Sequence, residues 1–241
     1  MTAGRDEHTL KTAAIIVAGG SGSRLGGEIP KQYRLLKGTP VLVRTIDAMS
    51  RAPSVGLIVV VVPEAEKAGF FDRYCEPYLH EKVGAVRAGG PTRLESVARG
   101  LSAVDESCDL VAVHDGVRPL VSVELIERCI MEAERSGAAV PGIPLTDTIK
   151  SVDKHRKIIS TVPREGLWAV QTPQVFRRDI LTAAYDKAFR EGFSGTDDAS
   201  LVERAGFSVT VIEGSTDNLK ITYEKDIMRA EAILSAENTK L

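Results

Sequence analysis

The sequence has no long apolar run and no excess of charge of one sign. Its 241 residues carry a formal net charge of −2, so the chain lacks the global basic field that attracts nucleic acid. No apolar stretch approaches the roughly 20 residues of a transmembrane helix, and the N-terminus lacks the apolar core of a signal peptide. We therefore expect neither a membrane nor a nucleic acid as a partner, and any anionic ligand must be held by local cations.

Cysteine is scarce and irregularly placed. Cys75, Cys108 and Cys129 are the three cysteines, and they show neither a disulfide framework nor metal-ligand spacing. This usage suits a reducing compartment. We expect a cytoplasmic protein in which each thiol is packed as a small apolar side chain.

The chain is instead rich in alternating strand and helix patterns. Hydrophobic residues make up 43% of the sequence, enough for one large α/β domain or two small ones. The predicted strands are 13–18, 56–62, 83–87, 109–114 and 138–143, and the predicted helices are at about 41–50, 64–80, 92–104 and 122–136. This alternation predicts an α/β fold with a Rossmann-like, mostly parallel sheet and helices on both faces.

The pattern changes after Pro144. Residues 146–159 read as two short polar strands joined by a turn at 153–156, which predicts a β-hairpin. Because a lone hairpin is marginally stable in water, it should lie on the domain or pack against a partner chain. Beyond it we predict a strand at 167–176, helices at about 178–190 and 197–204, a strand at 209–212 and a terminal helix at 224–237. The predicted organisation is a flexible tail at 1–12 and one domain at 13–241, with a protruding β-arm at about 144–164.

A glycine-rich loop follows the first predicted strand. Glycine lets the backbone bend sharply and approach a ligand closely, and successive free N–H groups form an anion-binding nest. Two cations stand in the same segment. A polyphosphate site is therefore predicted, and a strand–helix connection without a ligand is the alternative. The candidate groups are the backbone of Ala18, Gly19, Gly20 and Gly22 and the side chains of Arg24 and Lys31.

The two commonest phosphate loops do not fit this segment. A Walker A loop ends in Gly-Lys-Ser/Thr, which the sequence lacks, and a dinucleotide fingerprint starting at Gly20 requires glycine where Leu25 stands. The pattern Ala-Gly-Gly-x-Gly-x-Arg-Leu-Gly followed by Pro-Lys resembles the nucleotidyltransferases, which transfer a nucleoside monophosphate from a nucleoside triphosphate.

A carboxylate stands at the end of another apolar strand. Asp115 follows the run 110–114, and strand ends of a parallel sheet gather at the ligand-binding edge. A carboxylate beside a phosphate site is a natural Mg²⁺ ligand, whereas a helix N-cap or a loop hydrogen bond is the alternative. Arg118 either holds a phosphate or braces Asp115. His114 is expected to be packed or hydrogen-bonded, because no other His or Cys lies at ligand spacing.

A second glycine turn opens the helix predicted at 92–104. Gly89 and Gly90 precede Thr92 and Glu95, whose spacing predicts a capping box. Backbone groups at this turn and the side chain of Ser96 are candidates for reading a nucleobase or ribose. The alternative is a capped helix without a ligand.

Further polar residues carry little signal individually. Asp197 and Asp198 form either a second metal site or an ordinary helix N-terminus. Arg164, Thr172, Thr196 and Lys220 are each more typical of a surface than of a site when read alone.

Taken in order, however, these segments match one family. The matching motifs are Ala18-Gly19-Gly20-Ser-Gly22-Ser-Arg24 with Pro30-Lys31-Gln32-Tyr33, Gly89-Gly90-x-x-Arg93 with Ser96-Val97, Val113-His114-Asp115-x-x-Arg118-Pro119, Asp147-Thr148-Ile-Lys150, Val162-x-Arg164-x-Gly166-Leu167-Trp168, Gln171-Thr172-Pro173-Gln174, Thr196-Asp197-Asp198-Ala199 and Asp217-Asn218-x-Lys220-Ile-Thr222. Together they closely resemble the 2-C-methyl-D-erythritol 4-phosphate cytidylyltransferases, from about Ala13 to the final helix.

The resemblance implies that CTP and 2-C-methyl-D-erythritol 4-phosphate react to give 4-diphosphocytidyl-2-C-methyl-D-erythritol and pyrophosphate, a step of isoprenoid precursor biosynthesis. It implies the nucleotidyltransferase fold, a divalent cation such as Mg²⁺ and a homodimer formed through the β-arm. A ribitol-5-phosphate cytidylyltransferase shares the fold and the loop and stays an alternative. A non-enzymatic nucleotide-binding regulator is the remote one.

The resemblance also implies a role for each matching residue. Catalysis falls to Arg24, Lys31 and Lys220, and metal binding to Asp115 and Asp217. Nucleotide binding falls to Ala18, Gly19, Gly20, Gly22, Gly89, Gly90, Ser96, Asp115 and Arg118. Binding of the acceptor falls to Thr148, Arg164, Thr172 and Thr196, with Thr148 and Arg164 reaching the neighbouring subunit's site.

Overall fold

An eight-stranded sheet forms the centre of the protein in a computed structural model, which describes residues 11–20, 29–78 and 80–238. The strands are β1 (Thr12–Val17), β2 (Leu35–Leu36), β3 (Thr39–Pro40), β4 (Val55–Val62), β5 (Val83–Ala88), β6 (Leu110–Asp115), β7 (Ala138–Pro144), β8 (Ile149–Val152), β9 (Ile158–Val162), β10 (Trp168–Val170), β11 (Gln174–Arg177) and β12 (Thr210–Glu213). The α-helices are α1 (Val41–Arg51), α2 (Glu64–Lys67), α3 (Phe70–Tyr74), α4 (Arg93–Leu101), α5 (Val123–Ser136), α6 (Arg178–Glu191), α7 (Asp198–Ala205) and α8 (Glu224–Asn238).

The order of the strands determines where a ligand can bind. Four parallel strands run in the order β6-β1-β4-β5, and β11, β7, β10 and β12 extend the sheet beyond β6. The chain builds β1, β4 and β5 in one direction and then returns to the other side of β1 with β6. This reversal creates a switch point between β1 and β6, where Val17 pairs with Asp115. Ligands of open α/β sheets bind outside the carboxyl ends of the strands at such a point.

Helices cover both faces of the sheet because both faces of its central strands are apolar. Ile16 and Val60 pack on one face with residues of α1 and α5. Ile15 and Val59 pack on the other face with residues of α4, α6 and α7. All four side chains are completely buried, as expected of parallel strands covered on both sides. The predicted mostly parallel, doubly covered sheet is confirmed.

Two predicted elements are divided in the structure. The helix predicted at 64–80 consists of α2, α3 and a 3₁₀ turn at Glu76–Tyr78, because Gly69 adopts a left-handed conformation with φ of 69° that ends the helical path. The strand predicted at 167–176 is β10 and β11. Pro173 stands between them and has no N–H to donate to a neighbouring strand.

The arm at 144–164 contains the predicted hairpin, in which β8 and β9 pair antiparallel with each other in a sheet of two strands. Three apolar side chains on it are widely exposed, with 49% of Val152, 64% of Ile158 and 67% of Ile159 accessible to solvent. These side chains are not packed on the domain, and packing of the hairpin against a partner chain stays a prediction. The division into a tail and one domain stays a prediction.

Within the described ranges, every helix is too short or too polar to traverse a lipid bilayer.

Candidate active site

A cavity of about 450 Å³ opens at the switch point between β1 and β6. It brings together residues from five separate segments of the chain. Its lining residues are Val17, Ala18, Gly19, Gly20, Lys31, Gln32, Gly90, Pro91, Thr92, Arg93, Ser96, Asp115, Val117 and Lys220. The predicted site residues Gly22 and Arg24 lie outside the described residues.

The two predicted glycine turns touch each other beside this cavity. A Cβ atom added to Gly19 would lie 3.4 Å from the Cα of Gly89, and one added to Gly89 would lie 3.2 Å from the Ser96 hydroxyl. The two turns thus lie in van der Waals contact, and a side chain at Gly89 would be tight against Ser96. At Gly20, by contrast, an added Cβ would meet no atom of residues 11–20, 29–78 or 80–238 within 4 Å, so these residues leave space there for a close approach to the backbone.

The second turn is held by the predicted capping box. Thr92 Oγ1 accepts from the Glu95 backbone N–H at 3.1 Å, and the Thr92 backbone N–H donates to Glu95 at 2.9 Å. The Ser96 hydroxyl accepts from the Gly90 N–H at 3.0 Å and donates to the Thr92 carbonyl at 2.9 Å. The residues of this turn therefore both cap α4 and line the cavity.

Arg93 was missed as a site residue by the sequence analysis, although it stands within a quoted motif. It lines the cavity and its Nη2 lies 2.6 Å from Oδ2 of the fully buried Asp198. Burial lowers the pKa of Arg93, but the adjacent Asp198 carboxylate raises it more, and the net pKa is above the usual value. The Arg93 guanidinium thus stays protonated, as one half of an ion pair with Asp198.

The Asp197–Asp198 pair is explained by this packing. Asp197 caps α7 by accepting from the Ser200 N–H at 3.0 Å. Asp198 accepts from Arg93 and, at 2.5 Å, from the Tyr185 hydroxyl. No group of three or more His, Cys, Asp or Glu side chains placed to hold a metal occurs in the described part of the chain. The structure thus favours the helix N-terminus over the second metal site.

Asp115 lies between two cations at the cavity floor. Its Oδ2 is 2.9 Å from Lys220 Nζ and 3.3 Å from Arg118 Nε. Burial raises the pKa of Asp115, but Lys220, Arg118 and Arg93 together lower it further, so that the net pKa lies well below the usual value. The carboxylate is therefore ionised at neutral pH.

Arg118 is not among the residues that line the cavity. Its side chain is only 11% exposed, and its Nη1 donates to the Asn218 carbonyl at 2.7 Å. Of the two predicted roles, these contacts support bracing Asp115 rather than holding a phosphate.

A closed ring of hydrogen bonds lies behind Asp115. The Asp115 N–H donates to Thr172 Oγ1 at 3.1 Å, and Thr172 Oγ1 lies 2.9 Å from His114 Nδ1. His114 Nε2 lies 3.2 Å from the Arg118 carbonyl. Because a carbonyl only accepts, Nε2 carries the imidazole proton and the Thr172 hydroxyl donates to Nδ1. Thr172 is thus buried as a support of Asp115, and its predicted contact with the acceptor stays a prediction.

His114 makes the stability of the fold depend on pH. Burial lowers the pKa of His114 to about 4, whereas in the unfolded chain it is about 6.5. Between these values the unfolded chain binds more protons, so the free energy of unfolding falls by about 3 kcal/mol as pH drops from 6.5 to 4. Urea unfolding at several pH values should show this slope, and it should flatten in His114→Gln.

A matched control is His155→Gln, because His155 is exposed on the arm and its replacement should leave the slope intact. The buried His80, whose pKa is lowered by burial, accounts for part of the slope left in His114→Gln. An unchanged slope in that variant would contradict the assignment.

Known proteins resemble this chain over nearly its whole length. The family model of 2-C-methyl-D-erythritol 4-phosphate cytidylyltransferase matches residues 12–236. The chain belongs to this family. Curated family members include proteins from Syntrophus aciditrophicus, 43% identical over 96% of this chain and 99% of that one, and from Geotalea uraniireducens, 42% identical over 96% of this chain and 100% of that one.

Solved structures give the same result for the fold. The cytidylyltransferase from Thermus thermophilus superposes with a TM-score of 0.76 at 34% identity, over 93% of this chain and 98% of that one. A 4-diphosphocytidyl-2C-methyl-D-erythritol synthase from Anaerococcus prevotii gives a TM-score of 0.78 at 32% identity, over 94% of this chain and 99% of that one.

The cytidylyltransferase cavity is not lined by every residue that the resemblance implied. Asp217, Thr148, Arg164 and Thr196 are exposed and are not among the lining residues. Thr148 and Arg164 flank the hairpin of the arm, where the Arg164 guanidinium donates to the Thr146 carbonyl. Direct ligand contacts for these four residues stay predictions.

A magnesium ion fits the donor set of this cavity. Mg²⁺ usually takes one or two protein carboxylates together with substrate phosphates and water. Asp115 supplies one ionised carboxylate at the cavity floor. This set matches an ion that arrives with a triphosphate rather than one bound in a permanent cage of side chains.

Proposed function

We propose that this cytidylyltransferase transfers CMP from CTP to 2-C-methyl-D-erythritol 4-phosphate in the cavity at the switch point. The observation that supports the proposal most strongly is that one cavity gathers the glycine-rich turn, Lys31, Arg93 and the Asp115–Lys220 pair. The family match adds the identity of the base and the acceptor.

The reaction is a displacement at the α-phosphorus of CTP. A phosphate oxygen of the acceptor forms a bond to that phosphorus, the bond to the β-phosphate oxygen breaks, and pyrophosphate leaves with the electron pair. The second pKa of a phosphate monoester is about 6, so the acceptor is mostly a dianion at pH 7. The nucleophile therefore carries no proton that must be removed, and the reaction needs no general base. His114, which is buried behind Asp115, is not assigned that role.

The main barrier is the approach of one anion to another. Fixed positive charge and backbone N–H groups, placed before the reaction, stabilise the charge that builds on the α-phosphoryl group and the leaving pyrophosphate. Lys31, Lys220 and Arg93 supply three cations around the cavity. Gly19 and Gly20 supply backbone that a phosphate can approach. Arg24 is proposed as a further cation on the family's motif.

Asp115 keeps Lys220 in place. The Lys220 side chain is 41% exposed, yet its Nζ lies 2.9 Å from the buried carboxylate. The ion pair thus holds the ammonium at the edge of the cavity instead of leaving it to swing in solvent. When bound, Mg²⁺ would add charge neutralisation on the phosphates, with Asp115 as its protein ligand and Asp217 as the second that the resemblance implies.

The overall function is tested by release of pyrophosphate. We expect release only when CTP, 2-C-methyl-D-erythritol 4-phosphate and a divalent metal are all present. Equal or better turnover with ribitol 5-phosphate would favour the alternative acceptor. Faster turnover with another nucleoside triphosphate would overturn the choice of base.

We propose in addition that two chains form a homodimer through the arm. Its hairpin exposes Val152, Ile158 and Ile159, and 40% of Trp168 at the base of the arm is accessible to solvent. An exposed apolar group of this kind is typical of an interaction site. Thr148 and Arg164 flank the same hairpin, so dimerisation would bring them to the neighbouring subunit's acceptor site.

Mixing two inactive variants tests the shared site. In a mixed dimer of Arg164→Ala and Lys31→Ala chains, one site retains both residues. With random exchange, about half of the dimers are mixed, so roughly a quarter of wild-type activity should return. A monomer in light scattering, or no recovery after demonstrated exchange, would contradict the shared site.

We also propose a cytoplasmic, reducing environment. The three cysteines are buried and unpaired, which supports a compartment in which thiols stay reduced.

A further inference from the structure

We propose that Gln32 is a positioning residue that fixes Lys31 against the glycine-rich turn, an inference that rests on the proposed function of the cavity. Only 1% of Gln32 is exposed. Its Nε2 donates to the Ala18 carbonyl at 3.0 Å and to the Gly20 carbonyl at 3.4 Å. One side chain therefore ties the turn after β1 to the segment that carries Lys31.

The chemistry of these contacts requires an amide. After β1 the backbone stops pairing with the neighbouring strands. Its last hydrogen bond to β4 runs from the Ala18 N–H to the Val61 carbonyl at 2.7 Å. The carbonyls of Ala18 and Gly20 then need donors from elsewhere. A primary amide has two protons on one nitrogen, one for each carbonyl. Glutamate at neutral pH has none, and methionine has a similar length without a donor.

The connection to Lys31 is short and stiff. Lys31 and Gln32 are neighbours in a 3₁₀ turn, Lys31–Tyr33, that follows Pro30 and is closed by a bond from the Tyr33 N–H to the Pro30 carbonyl at 2.9 Å. On the far side, Tyr33 stacks on Tyr74 with 5.2 Å between ring centroids. The turn is thus anchored from both directions, and the Gln32 amide sets its distance from the phosphate-binding backbone.

Catalysis by fixed charge is sensitive to such a distance, because a displacement of about 1 Å can cost about 100-fold in rate. We expect Gln32→Met to lower kcat for pyrophosphate release by about 10- to 100-fold while the KM for the acceptor changes little. Gln32→Glu should be slower still, because it places a carboxylate against two carbonyl oxygens.

A double-mutant cycle separates positioning from a general loss of structure. If Gln32 acts through Lys31, then Gln32→Met should have little further effect on kcat in a Lys31→Ala background. Ser54→Ala is the control for a lost polar contact. The Ser54 hydroxyl donates to Glu127 just before the amino end of β4, whereas the cavity lies at the carboxyl ends of the strands. This variant should leave kcat unchanged.

The outcomes are distinct. If Gln32→Met keeps kcat within twofold, or if its effect is equally large without Lys31, the proposal is overturned. If the wild type itself releases no pyrophosphate from CTP and the acceptor, the proposed function fails first. The positioning role is then tested by calorimetry of CTP binding in the presence of Mg²⁺. Gln32→Met should weaken this binding by at least about 5-fold. Equal binding by the wild type and Gln32→Met, or no binding by either, overturns the positioning role.

Discussion

Lys31→Ala should reduce kcat by about 100-fold or more, the effect of removing one preorganised group that stabilises a transition state. Lys31 lines the cavity beside the glycine-rich turn, where the proposed reaction would build negative charge as pyrophosphate leaves. We expect the same scale of loss for Arg24→Ala. Steady-state kinetics with saturating CTP and acceptor measure the effect.

The control is Lys187→Ala, because Lys187 lies on α6 and its Nζ donates to the Arg204 carbonyl, outside the cavity lining. This variant should turn over normally. Folding of Lys31→Ala is expected to be retained, since Lys31 is not part of the apolar core. If kcat stayed near normal and only KM rose, Lys31 would be a ground-state binding group and its catalytic role would be wrong.

Asp198→Ala should lower the free energy of unfolding by about 3 kcal/mol, at the lower end of the cost of breaking a buried ion pair. The variant leaves the Arg93 guanidinium and the buried Tyr185 hydroxyl without their carboxylate partner. The lower end applies because the Arg93 side chain is 32% exposed and water partly screens its charge. Urea unfolding monitored by circular dichroism measures the change.

The neighbouring carboxylate provides a matched control. Asp197→Ala removes the N-cap of α7 and the hydrogen bond that Asp197 Oδ2 accepts from Gln174 Nε2 at 2.7 Å, but no ion pair, and should cost about 2 kcal/mol. In an Arg93→Ala background the cost of Asp198→Ala should shrink, because no uncompensated guanidinium remains. Normal stability of Asp198→Asn, together with a higher metal concentration needed for activity, would instead favour the rejected metal site.

Local features of this protein could be predicted from the sequence. The capping box of Thr92 and Glu95 involves residues three positions apart, so the sequence spacing alone predicts it. The strands β1, β4 and β6 are continuous apolar runs, and this composition already indicates burial on both faces. Asp115 was identified because it ends such a run, and the ends of parallel strands gather at one edge of a sheet.

Contacts between distant segments were not predictable in this way. Arg93 and Asp198 are 105 positions apart, and nothing in either local pattern pairs them. Thr172 looked like a surface polar residue, but it lies 58 positions from His114 and supports Asp115 from behind. The sequence also did not predict that Gly69 divides the helix at 64–80 or that Pro173 divides the strand at 167–176. A single residue can end an element without disturbing its hydrophobic pattern.

The sequence by itself determined the family, the order of the main strands and helices and the presence of a glycine-rich turn after β1, since each depends on residues that are adjacent or regularly spaced. Only the tertiary structure decided which polar residues face the cavity and which stand behind it. The reason is physical: the role of a side chain depends on which partner satisfies its hydrogen bonds and charge, and in this fold most of those partners come from remote segments that meet only at the switch point between β1 and β6.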